Sequence, residues 1–156
     1  MRATRAVDSR QDSAANNQLP DMVLWNEKFA TGSRVLDQHH RTLIDNINHL
    51  EEMLTITNPT REDCEFMMNL VDFLEKYADM HFNLEEECMA RFRCPAHAKN
   101  KKAHDGFLKF FRDFKEHNKA EGFRAKILVD LHETISRWIE EHILQVDTRL
   151  KPCIKA

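Results

Sequence analysis

Apolar positions along the chain fall into four runs with helical spacing. The first is Leu36, His40, Leu43, Ile47, Leu50 and Leu54, in alternating steps of four and three, which places His40 on the inward face. The second is Met67, Leu70, Leu74, Tyr77, His81, Leu84 and Cys88, with Glu85 four residues after His81. After Cys94-Pro95 a third runs Asn100, His104, Phe107, Phe111 and Phe114, and Gly122 supplies the stop. The fourth is Leu128, Leu131, Ile135, Trp138 and His142, with Asp147 five residues further on. "NPTRED" marks the start of the second helix, with Thr60 as N-cap three residues before Asp63.

Four amphipathic helices with short connections predict an all-α fold, an up-down-up-down antiparallel four-helix bundle with an extended N-terminal arm. In that topology residues early in the first and third helices share one end with residues late in the second and fourth. His40 and His104 are early and His81 and His142 are late, so each helix is expected to bury one histidine at the same level. Nothing in the hydrophobic pattern requires that agreement. A lone inward histidine is more often a core residue bonded to a backbone carbonyl. Four at one level, joined by the inward carboxylates Glu85 and Asp147, are better explained by a cation, because buried carboxylates without one are costly. His39, His49, His117 and His132 fall off the four rows and are expected on the solvated surface, and Met67, Met68, Met80 and Met89 are expected to fill the core.

Composition narrows the picture further. The 156 residues fit one domain, divided here into a disordered tail over 1–20, rich in Ala, Asn, Gln and Ser, and a bundle over 21–156. A net charge of -3 offers no basic field for nucleic acid. No segment approaches the roughly 18 apolar residues of a membrane span. The start carries arginines but no apolar stretch, and Asp8 and Asp12 argue against a transit peptide. Cys64, Cys88, Cys94 and Cys153 form neither a CxxC pair nor a dense disulfide framework, which suggests reduced thiols and a cytoplasmic location.

Four imidazoles and two carboxylates exceed what one tetrahedral zinc takes, and carboxylates that can bridge suit two irons. An imidazole-rich set stabilises the ferrous state, for which reversible O2 binding is the natural chemistry.

"WNEKFATGSRVLDQHHRTL", "HFNLEEECMARFRCPAHAKNKKAH" and "HILQVDTRL" together resemble the hemerythrin family, in the single-domain bacterial form, over roughly residues 23–151. The resemblance implies a four-helix bundle holding two non-haem Fe ions with carboxylate and hydroxo or oxo bridges. It makes O2 the ligand and an oxygen carrier, storage or delivery protein the function. An O2-consuming enzyme is the candidate partner, and a monomer is the favoured state. Carried over by position, His40 and His81 hold the iron with the open O2 position, Glu85 and Asp147 bridge, and His104 and His142 serve the other iron. The lack of an attached signalling or DNA-binding segment favours a stand-alone carrier. Leu43, Phe82, Trp138 and Ile139, within about one turn of the ligands, form the expected O2 pocket.

One position departs from the family pattern. Asn100 stands where a third histidine of the second iron is usual. Its amide oxygen can ligate weakly, it can hold a water, the place can stay empty, the side chain can be purely structural, or His97, one turn earlier, can substitute. The departure supports an alternative function, a di-iron peroxidase or an O2-, NO- or redox-sensing domain; an iron-responsive regulatory domain is a third.

Overall fold

The computed structural model describes residues 22–119 and 124–155. The tail assigned to 1–20 and the stop assigned to Gly122 lie outside the described residues. Helix α1 spans Arg34–Leu54, α2 Arg61–Arg91, α3 His97–Asn118, α4 Ala125–Gln145 and a short α5 Leu150–Lys155. A 3-10 turn over Glu27–Phe29 precedes α1, and another over Asp147–Arg149 separates α4 from α5. The four long helices form the expected bundle, with α1 packed on α2 and α4, and α2 on α3.

Local chemistry sets each start and stop. Ser33 caps α1 by accepting from the Leu36 N–H, while the N–H and hydroxyl of Thr31 both donate to Asp37 Oδ1 at 2.8 Å. Gly32 between them has φ 89, in the left-handed region, and an added Cβ there would meet Lys151 Cγ at 3.5 Å. Thr60 and Asp63 form the expected capping box at the start of α2. The end of α2 is a Schellman turn: the Cys94 N–H reaches Met89 O at 2.8 Å and the Arg93 N–H reaches Ala90 O at 3.0 Å. Arg93, at φ 51, occupies the left-handed position usually given to glycine.

The main core runs the length of the bundle and includes Leu43, Ile47, Leu74, Phe82, Phe111, Leu131 and Ile139. The N-terminal arm closes one side of it. Phe29 and Val23 are buried, Asn48 Nδ2 donates to the Val23 carbonyl at 2.8 Å, and the Arg41 guanidinium lies 4.4 Å above the Trp25 ring.

Several expected faces differ in detail. Leu84 is exposed, and the inward row of α2 passes instead through Ala78, Phe82, Glu85 and Met89. Of the four methionines named as core, Met67 and Met89 are buried but Met68 and Met80 are exposed. His132 is buried rather than solvated, so α4 buries two histidines. A wide buried face explains it: positions 128, 132, 135, 139 and 142 form a second inward row beside the first.

Candidate metal centre

The bundle topology delivers six side chains to one level. His40 comes from early α1, His81 and Glu85 from late α2, His104 from early α3, His142 from late α4 and Asp147 from the 3-10 turn that follows. All six are buried, Glu85 completely. Their ligating atoms form two groups, His40, His81, Glu85, Asp147 and Glu85, His104, His142, Asp147, in each of which the atoms lie within 4.8 Å of one another. Both groups contain the same two carboxylates.

The distances show how the carboxylates sit between the imidazole pairs. His40 Nε2 is 3.2 Å from Asp147 Oδ2 and 4.0 Å from Glu85 Oε1. On the other side His142 Nε2 is 3.0 Å from Asp147 Oδ1, and His104 Nε2 is 3.4 Å from Glu85 Oε2. His81 Nε2 lies 3.7 Å from Glu85 Oε2. Electrostatics separate the two acids. Burial, then the charge of Asp147, pushes Glu85 above the usual carboxylate range. Burial acts on Asp147 in the same direction, but His142 and His40 hold it well below that range. Burial also opposes a charge on His40, yet Asp147 and Glu85 raise it; burial and the His40 charge push His81 well down.

The donor set fits a cation. Both Glu85 oxygens, Asp147 Oδ1, His81 Nε2 and both His40 nitrogens are buried without a well-formed hydrogen bond. Orphaned atoms of this kind are rare in a folded protein. Here all but His40 Nδ1 converge, and they are the atom types that borderline and harder transition metals take.

A ring of further side chains orients these groups. His104 Nδ1 lies 2.9 Å from Glu86 Oε1, so its N–H donates to that carboxylate and turns Nε2 inward. His81 Nδ1 is 3.4 Å from His39 Nδ1. His39 is therefore not the solvated surface residue expected of it but a half-buried contact of the site. Phe82 stacks on His104 with ring centroids 3.8 Å apart, and Trp138 stacks on His142 at 4.3 Å. Glu86 and His39 escaped sequence reasoning because their contacts cross between helices, where spacing along one helix carries no signal.

Asn100 is fully buried in the same cluster. Its amide N–H donates to Met89 Sδ at 3.3 Å, which leaves Oδ1 facing His142 Nε2 at 2.8 Å. Met89 is itself held by the Schellman turn. His97, at the first turn of α3 and partly exposed, is in neither ligand group.

The sequence model of the "Hemerythrin HHE cation binding domain" matches residues 31–154. This chain belongs to the hemerythrin family. Its relatives include a "Bacteriohemerythrin" of Stenotrophomonas maltophilia, 27% identical over 86% of this chain and 83% of that protein. A second, from Clostridium acetobutylicum, is 28% identical over 81% of this chain and 96% of that one. A "Hemerythrin-like protein" of Naegleria gruberi is 25% identical over 85% and 94%. A solved structure of a leucine-to-phenylalanine mutant superposes with a TM-score of 0.73 at 26% identity, covering 86% of this chain and 98% of the other. As a hemerythrin domain the chain belongs to a family of non-haem iron and oxygen binding, and its buried His, Glu and Asp cluster is suited to hold metal. None of the described helices is long and apolar enough to cross a membrane.

Proposed function

We propose that the domain over 21–156 is a non-haem di-iron protein that binds O2 reversibly, as a carrier, store or source for an O2-consuming enzyme, in the cytoplasm. The observation that supports it is the sharing of Glu85 and Asp147 by two imidazole pairs, because carboxylates common to two donor groups could serve a metal in each. When bound, the irons supply redox-active coordination of O2.

The chain's own residues do the rest. His40 and His81 would hold one metal, His104 and His142 the other, and Glu85 and Asp147 would serve both. Glu86 fixes the His104 tautomer, while the stacked rings of Phe82 and Trp138 hold the imidazole planes. Leu43, Phe82 and Ile139 are buried in the main core within a helical turn of His40, His81 and His142, and Trp138 packs against that core, so this apolar wall keeps water and protons from the ligand site.

Asn100 favours a second reading. Its oxygen is aimed into the cluster, where an amide is a weaker donor than an imidazole. A more open second position supports peroxidase or sensing chemistry over long-lived O2 storage. Iron per chain, with the ultraviolet-visible spectrum of the ferrous protein before and after air, tests the main reading. Two irons and a reversible spectral change are expected; one iron, or immediate irreversible oxidation, refutes the carrier.

A further inference from the structure

Sulfur gathers at one place outside the metal centre. Cys94 belongs to a small apolar cluster with Leu36, Met89, Ala96 and Leu150, and Cys88 and Cys153 pack against it. Cys94 sits in the Schellman turn between α2 and α3, and Cys153 one turn into α5. Although 59 positions apart in sequence, both point at one atom. The Cys94 thiol donates to the Arg149 carbonyl at 3.5 Å and the Cys153 thiol to the same oxygen at 3.4 Å. Sharing one acceptor, the two sulfurs lie side by side at that carbonyl.

Both cysteines line a cavity of about 540 Å³ that Arg93, Lys99 and Arg149 also border. Among the described residues, the groups of three or more metal-ligating side chains are the two around Glu85 and Asp147, so the sulfur pair lacks the third donor of a metal site. Two thiols on one acceptor, at the wall of an open cavity, have dithiol chemistry instead.

We propose that Cys94 and Cys153 are a redox-active pair that reduces hydrogen peroxide to water and closes to an intramolecular disulfide. The Cys94 sulfur attacks one peroxide oxygen: the O–O bond breaks, an S–O bond forms, and the departing hydroxide takes the thiol proton as the first water. The Cys153 sulfur then attacks the Cys94 sulfur. The S–S bond forms as the S–O bond breaks, and hydroxide leaves with the Cys153 proton as the second water. Two thiols are oxidised, one peroxide is reduced by two electrons, and no other reductant is needed. The neighbouring Cys94 thiol pushes Cys153 up to about 11, so Cys153 stays a thiol while Cys94 meets the peroxide.

The pair also touches the metal end of the bundle. Arg149 closes the 3-10 turn that Asp147 opens. Oxidation replaces both S–H bonds to Arg149 with a covalent link from α5 to the α2–α3 turn. The assignment rests on the sulfur geometry alone and not on the iron reading.

The full chain, reduced and freed of excess thiol, is treated with one equivalent of hydrogen peroxide both as purified and after chelation of its metal. Both samples should lose two titratable thiols per chain and two hydrogens in intact mass, with a Cys94–Cys153 peptide that dithiothreitol reverses. In Cys153→Ser, dimedone should label Cys94 and no disulfide should form; Cys94→Ser should leave Cys153 unlabelled. A Cys64→Ser protein should behave as the parent. A disulfide through Cys88 or Cys64, cross-linking between chains, labelling spread evenly over the cysteines, or oxidation only in the metal-loaded sample would each overturn the proposal.

Discussion

At both ends of the bundle a histidine is buried beside a carboxylate, yet what the imidazole nitrogens meet is different. Towards the loop between α1 and α2, His132 stands 3.7 Å from Glu51 Oε2, its Nε2 is 3.2 Å from the Ser136 hydroxyl, and its ring bonds the Ile47 backbone. That histidine is satisfied by its neighbours, and burial pushes its pKa down towards the neutral form. At the metal end four histidines share two carboxylates and leave six polar atoms without a good partner. Burial of His and Glu together is therefore a poor sign of a metal site. Convergence of orphaned atoms from separate helices is the better one.

That contrast is sharpest in iron content. His81→Ala should lower iron affinity by more than about 100-fold, since loss of mere outer contacts to a ligand already costs about 10–100-fold. His132→Ala should load iron like the parent and lose only packing and hydrogen bonds, about 1–3 kcal/mol of stability in a denaturant titration. Equal iron in the two variants would erase the distinction between the two ends.

Thermal melts give the next largest effect. Metal that binds only the folded chain adds about 4 kcal/mol at a 1,000-fold excess over Kd, so iron should raise the midpoint by about 10 °C. The rise should persist in His132→Ala and vanish in His81→Ala. A similar rise in both would place metal elsewhere.

Asn100→His tests the metal end from within. If the amide oxygen occupies a ligand position, the imidazole should raise occupancy of the second iron, lengthen the life of the O2 complex and lower any peroxidase rate. Should iron content and O2 lifetime hold at parental values while the melting temperature falls, Asn100 serves only the hydrogen bonds to Met89 and His142. Leu43→Gln, which makes the apolar wall polar, should shorten the O2 lifetime severalfold without changing iron content; an unchanged lifetime would move the pocket.

The smallest effect belongs to the far end. Thr60 holds the Asp63 carboxyl below its ordinary value through its N–H and hydroxyl. A depressed carboxylate contributes stability above its unfolded value of about 3.8, and loses it as pH falls through the lower folded value. Thr60→Ala should therefore cost a few degrees of melting temperature at neutral pH and progressively less in acid, with iron unaffected. A loss that is constant down to strong acid would mean the box contributes nothing through Asp63.

Much of this is legible in the sequence. The four helices, the Thr60 start and the common level of His40, His81, His104 and His142 follow from spacing, because helical periodicity and antiparallel topology together fix height along the bundle. Face width is harder to read. A single alternating row excluded His132, although α4 buries a broad stripe, and it led α2 through Leu84, which is exposed, while Glu85 and Met89 turn inward as expected. Hydropathy does not count a carboxylate as a core residue, so the site itself disturbs the pattern used to find it. The 3-10 turn at Asp147, the α5 helix and the meeting of Cys94 with Cys153 depend on contacts between distant segments, which periodicity does not encode.

The helix order has a consequence for how the molecule can be divided. The α1–α2 hairpin carries His40, His81 and Glu85, and the remainder carries His104, His142 and Asp147, two imidazoles and one carboxylate apiece. Neither half contains a whole four-residue group, since each borrows the other's carboxylate. A chain cut at the α2–α3 turn would thus yield two fragments with complementary halves of the same centre, a natural starting point for a split reporter whose reassembly is driven and read out by metal.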